Sequence, residues 1–379
     1  KNIPKPFSAT HNLVKGTFQS NGEYIIKIEE NNDFAAMKLT YDVDHGIKSI
    51  LAGEYPIVGN IEIYDNKGLI EKLKIDKNIM DVKGMFLNNG DINLKGTTKA
   101  INLKEKIGFD LDASTLEYNY NAKTKYLNGM LNIPSVTHAL GAKFKNISLT
   151  KDFSTEDILL GKGKATIEEI QLPYGLIKNL TTEYFSEMKN EKYNLGINLN
   201  IGEAQTIFTN QNKINANFNF GVKDIDRIFI DKYNKLLQER NNNNQNFEEK
   251  LSQIDIERLF KKGFSFHVNN ISYSDGQNII KVKGMLKFNE QEEKTPLDVR
   301  KNTQFKVILE GKGDMVEVVK SIYPQKYDYF KGQPEKEAKL EVLFTKNKLF
   351  INNINAPEED LEKANQVFDE ITERIKDMK

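Results

Sequence analysis

Alternation of apolar and polar side chains at a period of two residues recurs in segment after segment of this chain and leaves little choice of fold. Tyr193, Leu195, Ile197, Leu199 and Ile201 alternate with Asn194, Gly196, Asn198 and Asn200. Ile214, Ala216, Phe218, Phe220 and Val222 do the same against Asn215, Asn217, Asn219 and Gly221, as do Phe264, Phe266 and Val268 against Ser265 and His267. Successive side chains of a strand point to opposite faces, so each segment offers one apolar face and one wet face. The pattern predicts antiparallel strands solvated on one side. The segments Tyr193–Ile201 and Ile214–Val222 are expected to pair, with Leu195, Leu199, Phe218 and Phe220 buried on a common side.

Turn chemistry supports the same reading. Asn21-Gly22, Asn66-Lys67-Gly68 and Asn89-Gly90-Asp91 suit tight connections between strands expected near 24–28, 57–64, 69–75, 80–87, 92–96 and 100–103. Gly16 to about Ala165 thus reads as a β-meander, with 34–51 open to either a short helix or an irregular strand. Leu176, Ile177, Leu180, Tyr184, Phe185 and Met188 recur at spacings of three and four, which predicts an amphipathic helix over about 173–189. After Asp224 two further amphipathic stretches, separated by Asn241 to Asn244, predict a helical hairpin over 223–263. Pro357 opens a terminal helix over 357–379 with Leu361, Ala364, Val367, Phe368, Ile371 and Ile375 on one face; Glu358, Glu359 and Asp360 in its first turn suit the helix dipole.

The expected organisation is therefore a β-rich half over 1–222, the hairpin over 223–263, a β-rich part over 264–356 and the helix over 357–379. The fold class is α+β and mostly antiparallel β, with elongated, twisted β-meander sheets and a few covering helices. At 379 residues the chain exceeds the roughly 250 to 300 at which one core stops growing. Gly161-Lys162-Gly163 and Gly311-Lys312-Gly313 echo one another, and so do Val82-Lys83-Gly84-Met85 and Val282-Lys283-Gly284-Met285, which suggests two related halves.

Charge and side-chain chemistry exclude more than they propose. Fifty-four basic residues cancel 54 acidic ones, so no global field recruits nucleic acid. Cysteine is absent, which removes disulfides, thiolate nucleophiles and Cys-based metal centres. His11, His45, His138 and His267 show no HExxH spacing, and Asp42-Val43-Asp44-His45-Gly46 reads as a turn. Neither Gly-Lys-Gly triplet continues into a Walker loop, and no Gly-x-Ser-x-Gly elbow is present. No catalytic residue, metal or cofactor is expected, and no run of about 18 apolar residues spans a membrane. The candidate surface is an apolar groove or interface built from Leu195, Leu199, Phe218, Phe220, Phe266 and Phe368, which the chain's own helices, a partner or a lipid must cover.

Gly16-Thr17-Phe18, the stretch Phe144 to Thr150 after Leu140-Gly141, and Gly161-Lys162-Gly163 leading to Leu172-Pro173 resemble the YdgA-like family of bacterial envelope proteins. Ile271-Ser272-Tyr273 and Gly311-Lys312-Gly313 repeat the theme. The resemblance implies a large β-rich periplasmic part behind an N-terminal membrane anchor, and it supplies no catalytic residues. The polar opening Lys1 to Pro6 fits a chain whose signal or anchor lies outside this stretch, so the expected location is the periplasm or cell envelope. The expected function is that of a non-enzymatic, exported envelope scaffold or binding module. The alternative is a lipid-binding or lipid-transfer protein with a β-sheet groove, and an enzyme of unrecognised type is third. An envelope protein or a lipid is the expected partner, and a homo-oligomer is compatible with the same surface.

Overall fold

The period-two segments do form strands. A computed structural model describes residues 7–30, 33–157, 159–206, 213–233, 256–322 and 327–377. Its contacts divide the chain into two compact units, Lys1–Lys178 and Asn179–Lys379. The fold is α+β with antiparallel β dominant.

In unit 1, β1 (Phe7–Lys15), β2 (Gln19–Glu30), β3 (Asp33–Asp44), β4 (Glu54–Asp65), β5 (Asn78–Leu87) and β6 (Ile92–Thr98) pair in sequence order. Next come β7 (Ile101–Leu103), β8 (Phe109–Leu111) and β9 (Thr115–Asn121), a broken hairpin in which β9 pairs β6 and β7 pairs β8. Both β8 and β9 then pair β10 (Tyr126–His138), which is followed by β11 (Lys143–Ser154) and β12 (Gly161–Leu172). The helices of this unit are short: α1 (Ile47–Ala52), α2 (Leu69–Lys72) and α3 (Lys104–Ile107).

The unit boundary falls inside β13 (Gly175–Lys189). In unit 2, β14 (Lys192–Thr206), β15 (Ile214–Asp226), β16 (Phe264–Ser274), β17 (Ile279–Phe288), β18 (Thr303–Lys312), β19 (Glu337–Thr345), β20 (Lys348–Ile351) and β21 (Ile354–Asn355) pair each with the next. The expected neighbours 193–201 and 214–222 are β14 and β15, with Leu199 opposite Phe218 and Ile197 opposite Phe220. The helices are α4 (Ile256–Lys262), α5 (Val299–Asn302), α6 (Met315–Ser321) and the 20-residue α7 (Glu358–Asp377). Of the expected hairpin over 223–263, residues 223–226 end β15, 227–233 are helical and α4 closes the region, while 234–255 lie outside the described residues.

Two expectations fail for identifiable reasons. Residues 69–75 do not form a strand, because the Asp65 carboxylate accepts the backbone N–H groups of Leu69 and Ile70 and so starts the helical turn α2. The expected helix over 173–189 is strand β13. Asn179 takes a left-handed φ of 54° inside it, and such a residue shifts strand parity by one, turning period-two spacing into the three-and-four spacing of a helix. Thr181, Thr182, Tyr184 and Phe185 also favour a strand. Glu183 and Glu187 accept from Asn198 and Asn194 of β14, and the Phe185 ring lies over Gly196 between them, as antiparallel neighbours require.

Candidate functional site

In an antiparallel sheet, residues directly opposite one another share a face. Following the register across unit 1 therefore traces continuous rows. One runs Leu13, Gly22, Tyr41, Gly59, Val82, Gly96, Leu116, Leu131, Leu149 and Ala165, from β1 to β12. Two residues along, a second row runs Val43, Ile57, Gly84, Leu94, Tyr118, Gly129, Lys151 and Gly163. On the other side lies His11, Tyr24, Leu39, Ile61 and Met80. Ten strand positions at about 4.8 Å per step make this apolar face roughly 43 Å across the strands.

Little covers it. Leu13, Tyr24, Ile28, Met37, Phe86, Tyr118 and Leu149 are all exposed, and α1 leaves its own Ile47, Ile50 and Leu51 in water. Aromatic rings supply local filling: the Tyr41 ring lies over Gly22, and the Tyr118 ring lies against Gly129, where a Cβ would sit 3.1 Å from it. Apart from Lys15 at the end of β1, Lys151 is the one charged side chain in the three rows. It is exposed, its Nζ sits 4.5 Å from the centre of the Phe153 ring, and among the described residues no carboxylate forms an ion pair with it. His11 bonds to the Tyr41 hydroxyl through Nε2 at 2.7 Å and stacks on the same ring.

Unit 2 carries a face of the same kind. One row runs Leu195, Val222, Phe266, Leu286, Phe305, Phe344 and Leu349, and another Leu199, Phe218, Ile271, Val282, Leu309 and Leu340. Here the chain's own helices cover most of it. Phe260 of α4, Val299 of α5 and Phe368 and Ile375 of α7 pack on Phe264, Phe288, Phe305 and Phe344. Val316 and Val319 of α6, with Tyr329 and Phe330, pack on Leu309 and Leu340.

The six residues expected to form a groove are thereby split. Leu195 and Leu199 are half-buried on the sheet face; Phe218, Phe220 and Phe266 share that face but are 36%, 38% and 45% exposed, so the expected burial of the two phenylalanines of β15 fails. The described covering helices pack from β16 onward and reach only the end of β15, where Val222 packs on the core and Arg258 of α4 pairs with the buried Asp226, so Phe218 and Phe220 stay exposed. Phe368 is buried beneath α7, 5.0 Å from Phe344, and belongs to the cover. The broader open face of unit 1 was not singled out in the sequence. Its signal was the absence of any long amphipathic stretch before residue 173.

The opposite faces are polar and self-satisfied. In unit 2, Asn217 donates to Asn198, Asn270 to Asn217 and Asn269 to Asn219, a ladder of side-chain amides across β14, β15 and β16. In unit 1, Lys38–Glu23 and Lys95–Glu117 pair across strands.

Other features do not assemble a reaction site. Ser265 contacts His267 at 2.9 Å, but Ser265 is buried, and burial followed by the nearby Lys223 charge holds the imidazole below its usual range. Ser20 and His45 form a second such pair. Among the described residues no carboxylate hydrogen-bonds to either imidazole, and none of the groups of His, Asp and Glu could hold a metal ion. In a polar cavity of about 710 Å³ beside α7, each lining cation is paired with an acid, Arg300 with Asp369, Lys301 with Asp298 and Lys376 with Glu373. No described helix is long and apolar enough to cross a membrane.

A family model described as a bacterial protein of unknown function (DUF945) matches residues 8–343. The chain belongs to this family. The match covers nearly all of unit 1 and most of unit 2. No curated protein and no solved structure matches the chain.

Proposed function

We propose that this protein is a non-enzymatic binding protein of the bacterial envelope that holds the apolar part of an amphiphile on the open sheet face of its first unit. The observation that carries the reading is a ten-strand apolar face with no described helix over it. Contiguous exposed apolar surface beyond a few hundred Å² marks a binding surface, because a sheet must bury its apolar side against something. Protein interfaces bring about one hydrogen bond per 100–200 Å² and a share of Arg. Rows of Leu, Ile, Val, Tyr and Gly with a single lysine favour hydrocarbon over a scaffold partner. The resemblance to the YdgA-like family of anchored periplasmic proteins supports the envelope location.

Mass spectrometry after gentle extraction, and displacement of the neutral fluorophore Nile red from the purified chain, test this. Bound amphiphile and displacement by long-chain lipids are expected. Charging the face by Met37→Asp or Leu149→Asp should weaken the probe with little change in thermal midpoint, since both side chains are already exposed. Absence of lipid and of probe binding in a folded chain would overturn the reading, and a co-purifying protein shielding the same residues would restore the scaffold.

A further inference from the structure

The geometry points to a long-chain carboxylate as the ligand of the unit 1 face, with its head on Lys151 and its tail along the rows toward β1; this rests on the binding function proposed above. Lys151 is placed where a counter-charge would select a ligand. It stands on β11, near one end of the rows traced through unit 1, so most of their length lies to one side, with Tyr118, Leu94 and Ile57 in its own row. Its cross-strand neighbours on both sides, Gly129 and Gly163, have no side chains to shield it. Leu149 and Phe153 flank it along the strand, and its ammonium rests over the Phe153 ring. The nearest acid in sequence, Asp152, points to the other face and lies 3.8 Å from Lys162.

Elsewhere on this sheet Lys38 and Lys95 are paired with acids on the polar side, and Lys145, which shares the parity of Lys151, is paired with Glu169. A cation left without a carboxylate on an apolar surface where the neighbouring Lys145 is already neutralised by Glu169 complements an amphiphile that brings its own anion. One ammonium balances one negative charge, which suits a carboxylate better than a doubly charged phosphate monoester.

The test compares oleate with oleyl alcohol as competitors for Nile red on the full chain and on Lys151→Met and Lys162→Met. Oleate should displace the dye at about three- to tenfold lower concentration than the alcohol, as an ion pair at a partly desolvated surface allows. Lys151→Met should remove that preference while leaving the alcohol unchanged, and Lys162→Met, on the other face, should keep it. Equal displacement by both competitors in the parent, or loss of the preference in both variants, would overturn the carboxylate inference while leaving the binding function intact. Failure of both competitors to displace the dye would sink the binding function itself.

Discussion

The two units use the same strand grammar and finish it differently. Of the 22 buried hydrophobic side chains among the described residues, four (Met80, Val82, Leu103 and Ile170) lie in unit 1 and the rest in unit 2. Both core clusters belong to unit 2. The difference is not in the strands, since each sheet carries uninterrupted rows of apolar residues on one face. It lies in the connections. Unit 2 inserts helices between strands and ends with α7, whereas unit 1 spends its connections on turns and on helices of four to six residues. A covered face becomes a core, and an uncovered one is available for a ligand.

The largest expected effect breaks this comparison if it is wrong. Phe344 is fully buried, stacked on Phe305 and in contact with Phe368. Phe344→Ala should cost about 3 to 5 kcal/mol of stability, the usual range for a large side chain removed from a core. Phe86 of unit 1 is 37% exposed on its face, touching Tyr55 at a ring separation of 6.0 Å. Phe86→Ala should cost a small fraction of that. Urea unfolding of the two variants decides it: equal losses would mean that unit 1 has a core of the same kind.

A middle-sized effect sharpens what holds the uncovered sheet together. Where no helix packs, rings lying over glycines take over part of the filling, as Tyr41 does at Gly22. Gly22→Val should force the ring aside and cost about 1 to 3 kcal/mol, the range for overpacking. Adding Tyr41→Ala should recover part of the loss, because the clash disappears with the ring. A fully additive double variant, measured by thermal unfolding, would show that the ring and the glycine do not depend on one another.

How much of this was legible in the sequence follows from which physical rule governs each segment. The alternation at 193–201 and 214–222 reads correctly as paired strands because the pairing runs unbroken from Leu195 opposite Val222 to Ile201 opposite Ala216, with the register shifts just outside that stretch. Residues 173–189 misread because one left-handed Asn179 changes the parity, and backbone conformation at a single residue is not written in hydrophobic spacing. The helix over 357–379 was readable from its apolar stripe and acidic first turn, and α7 spans Glu358–Asp377. What the stripe could not say is where the helix docks. The stripe alone therefore groups Phe368 with Phe218, Phe220 and Phe266, although Phe368 covers Phe305 and Phe344 while those three stay exposed. The echo between the two Gly-Lys-Gly triplets was likewise a matter of local pattern: the first opens β12 and the second lies at the end of β18.

The smallest expected effect contrasts one capping device in two settings. Asp298 caps α5, its carboxylate accepting the backbone N–H of Lys301 at 3.0 Å and lying 3.1 Å from that residue's ammonium. Burial pushes its carboxyl up, but the Lys301 backbone bond, the Lys301 ammonium and Arg300 outweigh it and hold the group below the usual carboxylate range. Because the folded value is the lower one, the stabilisation is present above the unfolded Asp value and is lost as pH falls through the folded one. The cap fixes Val299, which is buried in the core of unit 2. Asp298→Ala should therefore cost about 1 kcal/mol at neutral pH, and the gap to the parent should narrow as pH drops below about 4. Asp65 caps α2 in unit 1 with bonds of 2.8 and 2.9 Å to Leu69 and Ile70, yet α2 buries no residue. Asp65→Ala should move the midpoint less than Asp298→Ala does, since losing that turn uncovers no core. Matching losses from the two variants in thermal unfolding across pH 3 to 7 would mean that α2 anchors unit 1 as firmly as α5 anchors unit 2.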